Sequence, residues 1–144
     1  MEKWRGLFKL SRPVNVLISS LSIIVAIAIC GTFESLEIVG YAVLAGALIT
    51  AAANAINDVY DLDIDRINRP YRPLPKGEVK PHEAIIFSIV CFVVSVASSA
   101  LINRQALLIA FVFSVLLFLY SAIFKRMMLI GNVTVSLATA FAFI

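Results

Sequence analysis

Asn54, Asp58, Asp61 and Asp65 are separated by four, three and four residues, the spacing that lines one side of a helix. At 100° per residue with Asn54 at zero, Asp58 falls at about 40°, Asp61 at about −20° and Asp65 at about 20°, a single narrow stripe. Asp63 falls on the opposite side. Side chains three and four apart stand about 5–6 Å from each other at Cβ, so three carboxylates there repel one another unless positive charge sits among them. A divalent cation meets that need. Oxygen ligands from Asn54, Asn57, Asp58, Asp61 and Asp65, with no His or Cys among them, suit Mg²⁺ or Mn²⁺ rather than zinc. Such an ion is usually shared with a substrate phosphate. The plainer alternative is a solvated helix end balanced by Arg66, Arg69 and Arg72. Against it, Asn54 lies one turn inside an apolar segment, where an unsatisfied amide is costly.

The stretch Arg69-Pro70-Tyr71-Arg72-Pro73-Leu74-Pro75-Lys76-Gly77 follows at once. Its prolines disfavour helix and make a stiff turn able to fold back over the membrane surface. Arg69, Arg72 and Lys76 then face the acidic stripe across a gap, and cations opposite a metal-loaded carboxylate face describe a diphosphate clamp. Anchoring to anionic headgroups is the competing use of these bases. Further along, Tyr120 and Lys125 reach the same end of the chain's spans, either as site residues or as an interfacial aromatic and, with Arg126, an orientation signal. The candidate catalytic set is Asp58, Asp61, Asp65, Tyr120 and Lys125, and the candidate diphosphate set Arg69, Arg72 and Lys125. Asn132 is a further polar group at similar depth, among small residues that also suit close helix packing. His82, beside Pro81 and Glu83, reads as solvated.

The elements that position these residues are membrane spans. Of 144 residues, 61% are hydrophobic and 15% charged, and mean hydropathy is +0.98, which excludes a water-soluble globule and a disordered tail. Apolar runs of the length a bilayer requires cover about 14–31, 38–57, 84–102, 106–124 and 129–144. The expected fold is therefore an all-α, polytopic bundle of about five spans. The last run reaches Ile144 with no polar residue to close it, so the sequence reads as truncated within the bilayer. Cys30 and Cys91 both lie in apolar runs and suggest neither a disulfide scaffold nor a metal knuckle. A net charge of +3 without a basic tract gives no support to a nucleic-acid partner. Placing the N-terminus in the cytoplasm puts every Lys and Arg except Arg104 on that side, a strong positive-inside signal for a multi-pass cell-membrane protein. Between the second and third spans lies a cytoplasmic loop, 58–83, holding six acids, five bases and four of the 5 prolines.

At these residues the sequence resembles the UbiA superfamily of intramembrane prenyltransferases. The likeness rests on Asn57, Asp58, Asp61, Asp63 and Asp65, which fit that family's first aspartate-rich motif, and on Arg72-Pro73-Leu74-Pro75 and Gly77. Tyr120-Ser121, Lys125-Arg126 and Gly131-Asn132 add to it. Residues 65–70 look most like archaeal members that build membrane ether lipids, and chlorophyll synthases carry a similar segment. The resemblance implies the N-terminal part of a fold of about nine transmembrane helices. It also implies Mg²⁺-dependent transfer of a prenyl group, geranylgeranyl in the ether-lipid case, from a prenyl diphosphate to a membrane-embedded lipid acceptor. That acceptor would be the free hydroxyl of geranylgeranylglyceryl phosphate; a quinone precursor or a chlorophyllide-like molecule is the alternative. Asn54, Asp58, Asp61 and Asp65 would hold Mg²⁺ on the diphosphate, and Arg69, Arg72 and Lys125 would bind its oxygens. The family's second aspartate-rich motif has no counterpart, because no acid follows Glu83. A second half or a partner chain would supply it. A non-catalytic membrane subunit and an ion transporter are the competing readings, the latter disfavoured because the acids gather at one surface.

Overall fold

The computed structural model describes residues 2–31, 35–126 and 136. Its helices are α1 (Glu2–Leu10), α2 (Pro13–Cys30), α3 (Leu36–Tyr60), α4 (Leu62–Asn68), α5 (Pro81–Ala100) and α6 (Arg104–Ala122), followed by a 3₁₀ turn at Phe124–Arg126. There is no strand among the described residues. Four helices, α2, α3, α5 and α6, are long and apolar enough to cross a membrane, and the architecture is the expected all-α membrane bundle.

Local sequence explains where these helices start and stop. Pro13 opens α2, where its missing N–H costs nothing, and Gly31 closes it with φ 67°, a left-handed cap that glycine adopts without strain. Ser35 accepts a hydrogen bond from the Ile38 N–H at the start of α3, and Asn103 Oδ1 accepts from the Ala106 N–H, 2.7 Å away, at the start of α6. At α5 the Glu83 carboxylate accepts from the Lys80 N–H. Only Leu101, Ile102 and Asn103 separate α5 from α6, so these two spans form the tight antiparallel hairpin that so short a turn demands.

Helix α3 is the centre of the bundle, packing against α2, α5 and α6. Its buried face is built from Ala45, Ala51, Ala52 and Ala55, small residues that allow close helix approach without a hydrophobic drive. Buried Ser95 crosses that interface, donating to the Ala45 carbonyl. Ile56, Cys91 and Phe92 complete one apolar cluster with Ala52. A second, at the end of α3 nearest the acids, joins Leu10 of α1 to Ala55, Leu74, Val79 and Ala84. By contrast, α2 has no buried residue.

Two features differ from the sequence reading. Segment 58–83 is not loop throughout: α3 continues to Tyr60 and α4 occupies Leu62–Asn68, because the helical spacing of the acids outlasts the apolar run. The short amphipathic helix α1 precedes the first span. The fifth apolar run lies outside the described residues except for Ser136, and Asn132 lies outside them too.

Candidate active site

The acids gather where α3 gives way to α4. Asp61 is the joint, with φ −93° and ψ 1°. Its N–H still reaches the Asn57 carbonyl at 3.0 Å, and its own carbonyl accepts from the Asp65 N–H at 2.8 Å. The backbone ladder thus carries Asp58, Asp61 and Asp65 to one side although the helix is interrupted between them. Asp58 is 4% exposed and Asp65 5%. Burial of this kind is tolerated for carboxylates only with partners.

The partners are bases from three separate segments. Arg12, at the junction of α1 and α2, donates from Nη2 to Asp58 Oδ1 at 2.5 Å. Arg72 donates from Nη1 to the same oxygen at 3.0 Å and to Asp65 Oδ2 at 2.5 Å. Lys125, just beyond α6, is hydrogen-bonded to Asp61 Oδ2 and to Asn57 Oδ1 at 2.9 Å. Asn57 also donates to Asp61 Oδ2 at 3.4 Å. The single stripe read from the sequence thereby divides into two charge groups: Asp58 and Asp65 around Arg12 and Arg72, and Asp61 with Asn57 around Lys125. Asp63 faces away, paired with Arg66 at 3.2 Å on the exposed side.

Other candidates lie elsewhere. Asn54 donates to the Ser11 carbonyl at 3.0 Å, which satisfies its amide and ties α3 to the end of α1. The side chain of Arg69 is exposed and makes no ion pair among the described residues. Lys76 does not face the acids, contrary to expectation. Gly77, with φ 78°, turns the chain so that Lys76 meets Glu78 at 3.0 Å, with Lys9 on the same carboxylate at 3.1 Å. Tyr120 is half-buried and reaches no polar partner among the described residues. Sequence reasoning missed Arg12, which it counted only as an orientation charge. Its signal was a base directly before the proline that opens the first span, at the acids' end of the bundle.

Among the described residues no three carboxylate, imidazole or thiol groups converge closely enough to hold a metal unaided, because each acid is drawn to a base. The donor set nonetheless fits a hard divalent ion. The bases engage Asp58 Oδ1, Asp61 Oδ2 and Asp65 Oδ2, which leaves each carboxylate a second oxygen, with no softer ligand among them.

Fold and site together define a multi-pass helical membrane protein that carries a base-matched aspartate cluster at one end of its bundle. The comparisons with known proteins make the class specific. Residues 17–144 match the model of the UbiA prenyltransferase family, and the chain belongs to that family. A digeranylgeranylglyceryl phosphate synthase from Methanopyrus kandleri is 43% identical over 132 residues, which are 92% of this chain and 48% of that protein. A solved structure of a digeranylgeranylglyceryl phosphate synthase superposes with a TM-score of 0.92 at 34% identity, covering 99% of this chain and 52% of that one. A UbiA homologue from Archaeoglobus fulgidus, bound to DMAPP and Mg²⁺, gives a TM-score of 0.83 at 27% identity over 96% of this chain and 52% of that one. The chain spans about half the length of the curated relatives it matches.

Proposed function

We propose that this chain provides one half of the active site of an Mg²⁺-dependent prenyltransferase that moves a geranylgeranyl group from its diphosphate to geranylgeranylglyceryl phosphate in the membrane. The observation that carries the reading is the acid cluster of buried Asp58 and Asp65 and half-buried Asp61, with Arg72 and Lys125 set among its carboxylates. Support for the substrate class comes from the relatives' identity as digeranylgeranylglyceryl phosphate synthases and from the DMAPP and Mg²⁺ held by the Archaeoglobus homologue. A second acidic cluster is supplied from outside these residues.

Asp58, Asp61 and Asp65, with Asn54 and Asn57 at their flank, are the residues that would hold Mg²⁺. When bound, the metal would neutralise the diphosphate as it departs with the electrons of the allylic C–O bond. Arg72 and Lys125 each present donors to a carboxylate of the cluster and would take phosphate oxygens in exchange, with exposed Arg69 able to join them. The apolar faces of α3, α5 and α6 keep water from the allylic cation. The acceptor's hydroxyl oxygen then closes the new C–O bond, and its proton passes to the released diphosphate. Eleven of the 12 Lys and Arg residues lie at the acids' end of the spans, which supports a cytoplasmic site and N-terminus.

The test uses the complete protein in vesicles, with geranylgeranyl diphosphate, acceptor and Mg²⁺. Asp61→Asn should reduce prenyl transfer by roughly 10²-fold or more, the scale seen when a group acting on developing charge is lost, while membrane insertion persists. Turnover equal to the unmodified protein's would sink the assignment.

A further inference from the structure

Helix α1 has two apolar sides, and the bundle uses one. Leu10 is fully buried in the cluster with Ala55, Leu74, Val79 and Ala84, and Leu7 packs against it. Lys3 and Lys9 fasten the helix to Glu83 and Glu78. On the other side Trp4 is 77% exposed and Phe8 66%, one turn apart and so on one face. Between this face and α5 lies an apolar groove of about 260 Å³ lined by Trp4, Leu7, Phe8, Ser11 and Phe87. Arg5 is exposed as well and has no ion pair among the described residues.

What covers this face follows from its position. The first spanning helix begins at Pro13, three residues after α1 ends, so α1 lies at the level where the chain enters the bilayer. On the side of α5 that carries Phe87, Val90 and Val94 follow at helical spacing and are exposed apolar residues of a spanning helix, so the groove opens toward apolar surface of a span. An aromatic pair beside an exposed arginine suits the boundary between headgroups and acyl chains. We propose that α1 is an interfacial helix whose Trp4–Phe8 face lies among bilayer lipids, with a lipid chain segment filling the groove beside Phe87. Because Ser11 and Arg12, which directly follow α1, hold Asn54 and Asp58, lipid contact on one side of the helix helps to fix the acid cluster on the other.

Trp4 is the single tryptophan in these 144 residues, and subtracting the emission of a Trp4→Phe variant isolates its signal in the complete protein. The protein is reconstituted in phosphatidylcholine–phosphatidylglycerol vesicles, with and without brominated phosphatidylcholine. Expected is a blue-shifted emission that resists aqueous iodide and is quenched by bromines near the headgroup more than by bromines near the chain end, matching a depth of about 5–10 Å. Phe8→Glu should weaken that quenching. Emission like that of tryptophan in water, quenched by iodide, would overturn the proposal. Blue-shifted emission that brominated lipid does not quench would overturn it equally, and would assign the face to another polypeptide segment.

Discussion

Arg12 and Asp58, 46 positions apart in sequence, meet at 2.5 Å at the buried end of α3. Arg12 holds this position with φ 52° and ψ 76°, a left-handed conformation that costs a side-chain-bearing residue about 1–2 kcal/mol. The cost is offset by a charge-assisted bond to a carboxylate that has little access to water.

Replacing Arg12 separates these two contributions. Arg12→Ala should destabilise the protein by about 1–3 kcal/mol, the range for a lost hydrogen bond to a charged group. Arg12→Gly loses the same bond but relieves the backbone, so it should be more stable than Arg12→Ala by about 1 kcal/mol. Thermal unfolding in detergent measures both, and equal stabilities would contradict the role given to the left-handed junction.

Arg72 is the cation common to Asp58 and Asp65. Arg72→Ala leaves two buried carboxylates short of a counter-charge and should cost about 3–5 kcal/mol, as when one member of a buried pair is removed. Adding Asp65→Asn should recover part of that loss, with a coupling of about 0.5–3 kcal/mol in the double-mutant cycle. Strict additivity would mean that the two residues do not share a charge group.

Gly6 lies where α1 comes close to the turn before α5. A Cβ built there would stand 2.5 Å from Val79 Cγ2, and Val79 is buried, β-branched and stiff at χ1. Gly6→Ala should therefore destabilise by about 1–3 kcal/mol through overpacking, although alanine is the better helix former. A Val79→Ala change in the same chain should restore part of the loss. Hydrogen exchange across α1 reads the outcome.

The tie between α1 and this turn is sensitive to acid. Hydrogen bonds first from Lys76 and then from Lys9 hold the Glu78 carboxyl below its ordinary value of 4.5. A depressed folded-state value means that the contribution is complete above pH 4.5 and is lost as pH falls through the lower folded value. Trp4 emission should consequently change on acidification below that point, and Glu78→Gln should reduce the amplitude of the change. A titration unaltered by Glu78→Gln would assign it to other groups.

The spans and the acid stripe were legible in the sequence because both are local patterns: an apolar run announces its own burial, and a three-and-four spacing announces its own face. Arg72 and Lys125 were legible as bases at the correct end of the bundle. The partners were not. Lys76 lies four residues from Arg72, yet the left-handed Gly77 delivers it to Glu78, and no periodicity encodes that turn's direction. Asn54 reads as a candidate metal ligand by spacing, but the donation from its Nδ2 to the Ser11 carbonyl, which still leaves Oδ1 as an acceptor, is a tertiary contact that no spacing encodes. Arg12 was hidden for the same reason, since its importance depends on where α1 docks, a contact set by Leu10 and Val79 rather than by any motif.

The separation between Arg12 and Asp58 has a temporal meaning. Arg12 precedes Asp58 by 46 positions, Arg72 follows it by 14 and Lys125 follows Asp61 by 64. A chain made from its N-terminus thus delivers α3 to the bilayer when one neutralising base already exists, and the acidic end of that span is not left uncompensated while the rest is synthesised. The later bases complete an electrostatic assembly that Arg12 began.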